Sequence, residues 1–408
     1  METANRSLFM LVGGAIVLTA ACAWGQDWPQ WRGPDRDAKV SAFTVPQTWP
    51  KELTRRWTVA VGLGDATPAL VGGRLYVFAR QGDEEVAMCL NAEDGKELWR
   101  DKHPAPPVTG GPAQHSGPRS SPTVAEGKVV TLGVAGVLSC LDAASGKVLW
   151  TREEFPGAWP RFYAAMSPVV VEGLCIAHLG KEGAGAIIAY DLATGDPKWK
   201  WSGAGPTYSS PVLMTLDDVQ TLVVHVETDL IGIGVSDGKL LWKATTPLRQ
   251  RFYSSVTPIV DGQTVIYTGQ GTGTKAVRIE KKDSGYSVSE LWSNGEIGGG
   301  YNTPVLKNGL LFGISDPGNN IYCLSARDGQ TLWTDTVRYG RFGTVLDVGP
   351  VLLALPVSEL LVIEPSDKAY TELARYKVAQ EQVYAYPIVA GNRIYIKDKE
   401  TLTLWTVE

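Results

Sequence analysis

The sequence has few of the residues that usually build metal or disulfide sites. Its 408 residues include five cysteines and four histidines, and the histidines lack metal-ligand spacing. The net charge of −5 and the lack of a basic run argue against a nucleic-acid-binding protein. No serine, histidine and acid arrangement typical of nucleophilic catalysis is recognisable. These absences leave a globular protein without an obvious catalytic motif.

Long apolar runs are also missing, except near the start of the chain. Arg6 precedes the apolar run Leu8–Trp24, and small residues before Gln26 fit a cleavage site. Residues 1–25 therefore predict a signal peptide, which implies a periplasmic or extracellular protein. Two alternatives stay open, an uncleaved membrane anchor and lipidation at Cys22. Membrane association is expected only through such an N-terminal anchor.

Glycine and proline, by contrast, are abundant, with 45 and 25 copies. One phrase recurs with little change: "MCLNAEDGKELW" (88–99), "SCLDAASGKVLW" (139–150) and "YCLSARDGQTLW" (322–333). It predicts a β-hairpin, because its glycine permits the positive φ of a tight turn. The terminal tryptophan is expected to pack one sheet on the next. Equivalent cysteines in separate repeats are expected to be buried hydrophobes rather than disulfide partners.

A second phrase, a small or polar residue followed by proline and an apolar strand, marks the start of each unit. Two such starts are separated by about 45 residues, which is room for four short strands and typical of a propeller blade. Eight starts predict an all-β, eight-bladed propeller. The eight start prolines are Pro68, Pro122, Pro168, Pro211, Pro258, Pro304, Pro350 and Pro387.

The two ends of the chain predict how the ring closes. The last start leaves room for three strands, whereas residues 53–61, "LTRRWTVAV", form an unassigned strand before the first blade. That N-terminal strand is expected to complete the C-terminal blade and to remove the exposed sheet edges. The predicted organisation is a signal peptide (1–25), a leader (26–52) and the propeller (53–408).

The hairpin phrase resembles the repeat of the pyrroloquinoline-quinone (PQQ) propeller superfamily over nearly all of residues 53–408. The resemblance implies one of two branches. The quinoprotein alcohol dehydrogenases carry PQQ, calcium, a catalytic aspartate and usually a disulfide of adjacent cysteines. A shorter, noncatalytic branch resembles BamB. This sequence has no adjacent cysteines. Its "DWPQWRGPDRD" (27–37) resembles a leader found on exported bacterial propeller proteins of this kind.

Residues just before each start are expected around one mouth of the central channel, defined here as the end at which the first strand of each blade begins. Two copies of a longer phrase, "RFYAAMSP" (161–168) and "RFYSSVTP" (251–258), place arginine and tyrosine there. Such residues either bind an anionic or aromatic ligand or fill the channel and bond one another. The long segment 101–121 is a surface loop whose His115 and Arg119 could also reach the mouth. The candidate residues are Asp65, Arg119, Arg161, Tyr163, Tyr208, Arg251, Tyr253, Tyr301, Asn302, Arg341, Asp347 and Tyr384.

Three functions are compatible with this sequence. The favoured one is an exported, noncatalytic and monomeric scaffold that binds a protein or peptide partner, with no cofactor, metal or nucleic acid, and with an envelope or outer-membrane assembly role as one setting. The alternatives are a PQQ-dependent dehydrogenase for alcohols or sugars, with PQQ and calcium, and a small-ligand sensor that uses the mouth. Because function depends on sites rather than folds, the repeat alone does not decide among them.

Overall fold

Each repeat folds as a four-stranded antiparallel sheet. The computed structural model describes residues 27–246, 255–269, 271–283 and 285–408. Within these residues, eight such sheets follow one another as the blades of a propeller, which confirms the predicted fold. The predicted signal peptide and the lipidation candidate Cys22 lie outside the described residues. None of the helices among the described residues is long and apolar enough to span a bilayer.

The first strand of every blade lies nearest the channel and the fourth lies at the outer edge. Blades 1 to 4 consist of β2 (Ala69–Val71), β3 (Arg74–Gln81), β4 (Glu84–Asn91) and β5 (Glu97–Pro104); β6 (Thr123–Ala125), β7 (Lys128–Leu132), β8 (Leu138–Asp142) and β9 (Val148–Arg152); β10 (Val169–Val171), β11 (Leu174–Lys181), β12 (Ala184–Asp191) and β13 (Pro197–Gly203); β14 (Val212–Leu216), β15 (Val219–His225), β16 (Asp229–Gly234) and β17 (Leu240–Thr245).

Blades 5 to 7 follow the same order, and blade 8 takes its outer strand from the start of the chain. They consist of β18 (Ile259–Asp261), β19 (Thr264–Gly269), β20 (Gly273–Lys282) and β21 (Gly285–Asn294); β22 (Val305–Lys307), β23 (Leu310–Ile314), β24 (Ile321–Ser325) and β25 (Thr331–Thr334); β26 (Gly343–Asp347), β27 (Leu352–Pro356), β28 (Glu359–Ile363) and β29 (Glu372–Lys377); β30 (Ile388–Ala390), β31 (Arg393–Lys397), β32 (Thr401–Thr406) and β1 (Thr54–Ala60).

The ring closes as the sequence predicts. Strand β1 pairs antiparallel with β32, from Thr54 opposite Thr406 to Ala60 opposite Thr401. Strand β1 thus hydrogen-bonds to the last strand of the ring, so the backbone groups at the outer side of β32 are satisfied. The N-terminal and C-terminal ends of the ring are held in one sheet.

The repeated hairpin joins neighbouring blades. The Trp99 indole N–H of blade 1 donates to the Ala143 carbonyl of blade 2 at 3.0 Å. Gly146, in the same turn of blade 2, has a φ of +74°, and a Cβ there would lie 2.4 Å from the Trp99 ring. The turn therefore needs glycine both for its backbone and for the tryptophan packed on it. The same indole-to-carbonyl bond is made by Trp57, Trp150, Trp199, Trp292 and Trp333.

The hairpin of blade 5 is irregular, and the tryptophan-to-carbonyl bond is missing there among the described residues. Strands β20 and β21 are each ten residues long. The matching phrase, "EKKDSGYSVSELW" (280–292), lacks the regular spacing of the others. Trp242 of blade 4, which should contact that hairpin, has a buried indole N–H without a partner among the described residues. Irregularity in the sequence of one repeat is therefore accompanied by a lost bond at one blade interface.

At five blade interfaces of the described ring, residues that precede start prolines link neighbouring blades at the channel. The Thr67 backbone N–H donates to Ser121 Oγ, and the Ser121 N–H donates to Ser167 Oγ, both at 3.0 Å. Equivalent bonds run from Ser167 to Ser210, from Thr257 to Thr303 and from Tyr386 to Thr67. The sequence predicts only turn chemistry for the serine pairs Ser120–Ser121 and Ser209–Ser210. The hydroxyls of Ser121 and Ser210 instead belong to a relay between neighbouring blades, each bond worth about 1 kcal/mol.

One of the eight predicted starts is wrong. The first strand of blade 7 is β26, Gly343–Asp347, so Pro350 lies in the turn between β26 and β27 rather than before the first strand. The apolar run "VLLALP" that follows Pro350 is the second strand, which is as buried as a first strand. Burial of both strands makes their sequence patterns alike.

The cysteines behave as predicted. Cys89, Cys140, Cys175 and Cys323 are free thiols buried in the sheets. Burial raises the pKa of Cys89 to about 11 and the pKa of Cys140 and Cys323 to about 12. They are therefore unreactive packing residues rather than disulfide partners.

Candidate ligand site at the channel mouth

The leader fills the end of the channel opposite the mouth. Trp28 pairs with Leu70 of β2 through two backbone hydrogen bonds of 2.7 and 2.8 Å, and its side chain is 1% exposed. The Val124 N–H of β6 donates to the Pro29 carbonyl at 2.8 Å. Further along, the Val40 N–H donates to the Asp347 carbonyl at 2.8 Å. The leader is thus an integral part of the ring and not a free tail.

Two leader arginines reach the inner strands of several blades. Arg36 donates to the carbonyls of Pro168 and Pro211, to the Ser167 carbonyl and to Gln30 Oε1. Its side chain is buried, and this burial lowers its pKa to about 9. Arg32 donates to the Pro304 carbonyl at 2.8 Å, and its guanidinium lies 5.7 Å from the centroid of the Tyr386 ring. These contacts hold the leader against start prolines of blades 3, 4 and 6.

Trp31 ends the filled part of the channel. Its indole N–H donates to Thr257 Oγ1 at 3.0 Å, and its ring meets the Tyr386 ring edge-on at 5.0 Å. On its other side Trp31 lines a cavity of about 330 Å³ that opens at the mouth. The floor of the cavity is therefore supplied by the leader and its walls by the blades.

The cavity walls are largely aromatic. Tyr301 and Phe342 have ring centroids 4.5 Å apart, and Phe342 meets Tyr384 edge-on at 4.8 Å. On another side, Phe162 and Tyr208 form an edge-on pair at 5.8 Å. The Tyr208 hydroxyl also accepts a hydrogen bond from the Phe162 N–H at 3.1 Å. Packed rings of this kind give a rigid surface suited to an apolar or aromatic group.

Three charged or ionisable groups stand beside the aromatic walls. His115 Nδ1 lies 2.8 Å from Asp65 Oδ2, and the His115 ring meets the Tyr384 ring edge-on at 4.8 Å. Arg119 Nη2 donates to the His115 carbonyl at 2.7 Å. Burial lowers the pKa of Arg119, an effect that Asp65 opposes. The predicted surface loop 101–121 is wrong at its start, because residues 101–104 belong to β5. The loop that follows β5 contains the short 3₁₀ helix Gly111–His115 and contributes to the site.

The structure places five of the predicted residues in the cavity lining: Asp65, Arg119, Tyr208, Tyr301 and Tyr384. All five come from the position three residues before a correctly identified start proline. Arg251 and Tyr253, from the second copy of the longer phrase, lie outside the described residues.

Other predicted residues support the site from behind or hold loops. Arg161 is exposed and lies over the Phe162 ring at 5.5 Å, and Arg341 lies over the Tyr301 ring at 5.2 Å. Tyr163 is buried with a φ of +67°, and its hydroxyl accepts a bond from the Thr109 N–H at 3.0 Å. Asn302 is buried and bonds to Gly343, Ile314 and Arg341 backbone groups. None of these four residues is part of the cavity lining.

Asp347 corrects the prediction most clearly. It ends β26 and therefore lies at the end of the channel that the leader fills, not at the mouth. Its carboxylate is 2.7 Å from Lys307 Nζ, and its backbone pairs with the leader at Ala38 and Val40. The error follows from Pro350, because a residue counted back from a misplaced start falls at the wrong end of the strand.

The lining also includes residues outside the candidate list, among them the large side chains Trp31, His115, Phe162 and Phe342. The repeated "RF" dipeptide contained the signal for two of them. Phe162 and Phe342 each follow an arginine, and each phenylalanine ring enters the cavity lining while its arginine stays outside. His115 was considered only as an open alternative. Trp31 had no signal, because nothing in a repeat reports where a unique leader will pack.

The lining does not fit the calcium that accompanies PQQ in the dehydrogenase branch. Calcium takes six to eight oxygen ligands, usually including several carboxylates. Among the described lining residues Asp65 supplies the one carboxylate, and it is paired with His115. No cluster of three histidine, cysteine or acidic residues able to hold a metal occurs in the described parts of the chain. The lining therefore lacks the oxygen ligands that such a calcium ion needs.

The closed ring of four-stranded blades and the repeated hairpin define a propeller of the PQQ-like superfamily. A family model described as outer membrane protein assembly factor BamB matches residues 36–153 and 82–335. The chain belongs to this family. Its fold is similar to the structure of BamB from Moraxella catarrhalis, with a TM-score of 0.63 and 14% identity over 87% of this chain and 97% of that one.

Similarity extends to enzymes of the superfamily. The structure of quinohemoprotein alcohol dehydrogenase from Comamonas testosteroni gives a TM-score of 0.72 at 15% identity, over 93% of this chain and 80% of that one. In sequence, that enzyme is 31% identical over 36% of this chain and 21% of its own length. Tetrathionate hydrolase from Acidithiobacillus ferrooxidans is 26% identical over 47% of this chain and 40% of its length. The matches thus span well under half of these curated relatives, which are named for different reactions.

Proposed function

We propose that this protein is an exported, noncatalytic propeller that binds a protein or peptide partner at the mouth of its channel. The observation that carries the proposal is the open cavity of about 330 Å³, with aromatic walls and Asp65, His115 and Arg119 beside them. A rigid cavity of aromatic rings binds an exposed side chain at little cost in conformational entropy. Membership in the BamB family supports a scaffold role.

The geometry of the leader further supports binding over transport through the ring. Arg36 and Arg32 hold the leader across inner strands, and Trp31 forms a floor. The channel is thereby converted into a dead-end cavity. A partner would bind from the mouth side only, by inserting one or two side chains while its remaining surface rests on the surrounding loops. Such an anchor in a pocket is the usual centre of a protein interface.

The cell location belongs to the same proposal. The charged residue, apolar run and small residues of positions 1–25 support export to the periplasm or beyond. We propose that the mature chain starts at Gln26, acts as a monomer and needs no cofactor. Mass spectrometry of the exported protein tests the first point, and a lipid-modified Cys22 would contradict it.

A displayed library of random peptides, selected on the immobilised full-length mature protein, tests the binding function. Selected peptides are expected to bind the wild type and to lose at least tenfold in affinity on Tyr301→Ala/Tyr384→Ala. A matched control is Leu98→Ala/Leu149→Ala, which removes two exposed leucines from outer strands. Loss of binding on the control instead of the mouth variant would place the interface on the outer strands and contradict the proposal.

The dehydrogenase alternative needs a separate assay. The purified protein is titrated with PQQ and calcium and then tested for dye reduction over a panel of alcohols and sugars. No substrate-dependent dye reduction is expected, because the lining offers calcium a single carboxylate. Stoichiometric PQQ binding followed by substrate-dependent reduction would overturn the noncatalytic proposal.

A further inference from the structure

The Arg119 side chain has an unmet hydrogen-bonding group beside the cavity. Its Nη2 atom donates to the His115 carbonyl, whereas its Nη1 atom is buried and has no partner among the described residues. A buried cationic N–H without an acceptor is costly, and an added oxygen acceptor removes that cost. Because Arg119 also lines the cavity, a ligand bound there is in position to supply the acceptor.

The nearby carboxylate does not meet this need. Asp65 Oδ2 lies 2.8 Å from His115 Nδ1, and the ion pair found for Asp65 in the described structure is this one. Arg32 also has unpaired guanidinium atoms, but its side chain is 1% exposed and does not line the cavity. Arg119 is therefore the guanidinium at the described cavity lining that lacks a carboxylate partner.

The rest of the cavity favours an aromatic group. Trp31 lies at the floor, and Tyr301, Phe342 and Tyr384 form one continuous wall of contacting rings. The volume of about 330 Å³ is at the small end for ligand pockets, which range from about 300 to 1,000 Å³. A chain end with one large side chain fits such a dead-end space better than a continuous segment, which needs both an entry and an exit.

We propose that the mouth binds an aromatic group that stands next to a carboxylate, as at the C-terminus of a peptide ending in phenylalanine. The carboxylate accepts hydrogen bonds from Arg119, and the aromatic side chain packs between Trp31 and the wall of Tyr301, Phe342 and Tyr384. Charge-assisted bonds from arginine to carboxylate are among the strongest in proteins. This inference rests on the proposed function, since it names the partner chemistry of the same cavity.

Calorimetric titration of the full-length mature protein with acetyl-Gly-Gly-Ser-Phe tests the inference. The free acid is expected to bind at least tenfold more tightly than the same peptide with a C-terminal amide. Arg119→Gln should abolish this difference, while Arg119→Lys should retain part of it, because lysine keeps the charge but not the planar fork. Arg55→Gln is the matched control and should change nothing, since Arg55 is exposed on the outer strand β1. Thermal melting of each variant checks its fold.

The outcomes separate this inference from the function on which it rests. Equal binding of acid and amide, or no binding of either, would overturn the carboxylate inference, while library-selected peptides that still depend on Tyr301 and Tyr384 would leave the proposed function intact. If no library peptide binds at the mouth, the proposed function fails as well. Phenylpropionic acid serves as a small-molecule arm. If it binds as tightly as the peptide acid, the carboxylate chemistry holds but its source is a free small molecule, and the peptide assignment is overturned.

Discussion

The two ends of the central channel are lined by the same repeats but completed by different segments. At the leader-filled end, Arg36 donates to three backbone carbonyls and one side-chain oxygen, so each of its three guanidinium nitrogens is bonded. At the mouth, Arg119 makes one bond to the His115 carbonyl and keeps a buried atom without a described partner. Arg36 therefore stabilises the fold, whereas Arg119 keeps a buried N–H group that a ligand could bond.

This difference shows where asymmetry comes from in a ring of repeats. The blades supply similar walls at both ends, with their start prolines and hydroxyl relay. The leader and the long loop between β5 and β6 each occur once. The leader closes one end of the channel, and the loop shapes the other. In a protein built from repeats, the segments outside the repeat pattern are therefore the first place to look for a site.

Removing the leader together with β1 should have the largest effect on stability. Deleting residues 27–61 takes away the leader and β1, which leaves β32 with an unpaired edge and the channel open. We expect loss of cooperative unfolding, or aggregation, in thermal melts and size-exclusion chromatography. Deleting residues 27–52 alone keeps β1 and should be less severe. A 27–61 deletion that melts like the intact chain would refute both assigned roles.

Lowering the pH should have the next largest effect on stability, because blades 3 and 4 each bury a histidine, His178 and His225. Burial lowers the pKa of His178 and His225 to about 4. In the unfolded chain a histidine titrates near pH 6.5, so the unfolded state binds more protons below that pH. The stabilisation is complete above pH 6.5 and declines as the pH falls towards 4, by roughly 3 kcal/mol for each histidine. Urea unfolding between pH 7.5 and 4.5 measures this, and His178→Gln/His225→Gln should flatten the slope. An unchanged slope would show that other groups cause it.

Truncating the two arginines compares the two ends directly. Arg36→Met leaves three backbone carbonyls without their donor and should lower the free energy of unfolding by about 2 to 4 kcal/mol. Arg119→Met removes one bond together with an unpaired buried group, so its effect should stay within about 1 kcal/mol. Denaturant titration measures both. Equal losses would mean that the mouth arginine is as structural as the leader arginine.

A smaller effect is expected where one blade packs on the next. Gly127 and Gly146 both lie in turns of blade 2 and have φ values of +70° and +74°. A Cβ at Gly146 would lie 2.4 Å from the Trp99 ring, whereas a Cβ at Gly127 meets nothing within 4 Å. Gly146→Ala should therefore cost about 1 to 3 kcal/mol more than Gly127→Ala. Equal costs in denaturant titrations would show that backbone strain alone fixes the turn glycine.

The sequence predicted the parts of the molecule that repeat. The start prolines indicated eight blades, and the position three residues before a correct start located Asp65, Tyr208 and Tyr384. Prediction failed where a repeat departed from the pattern, as at Pro350, or where contacts are long-range and unique. Trp31 and Arg36 bond to residues more than a hundred positions away, and no local pattern encodes such partners.

Side-chain direction was a further limit. The copy of the "RFY" phrase at residues 161–163 lies near the mouth, yet Phe162 rather than Arg161 or Tyr163 lines the cavity. Tyr163 turns away because its φ is positive and its hydroxyl bonds the long loop at Thr109. The backbone conformation at Tyr163 thus helps to direct Phe162, rather than its neighbours, into the cavity. The residue types alone do not predict that conformation.

Hydrogen exchange of the mature protein, with and without a library-selected peptide, tests most directly whether the mouth is the binding surface. The account predicts slower exchange in the loops that line the cavity, above all residues 111–119 and the segments around Tyr301, Phe342 and Tyr384. The outer strands should exchange as in the free protein. Slowed exchange confined to outer strands such as β5 and β9, with the mouth loops unchanged, would contradict it.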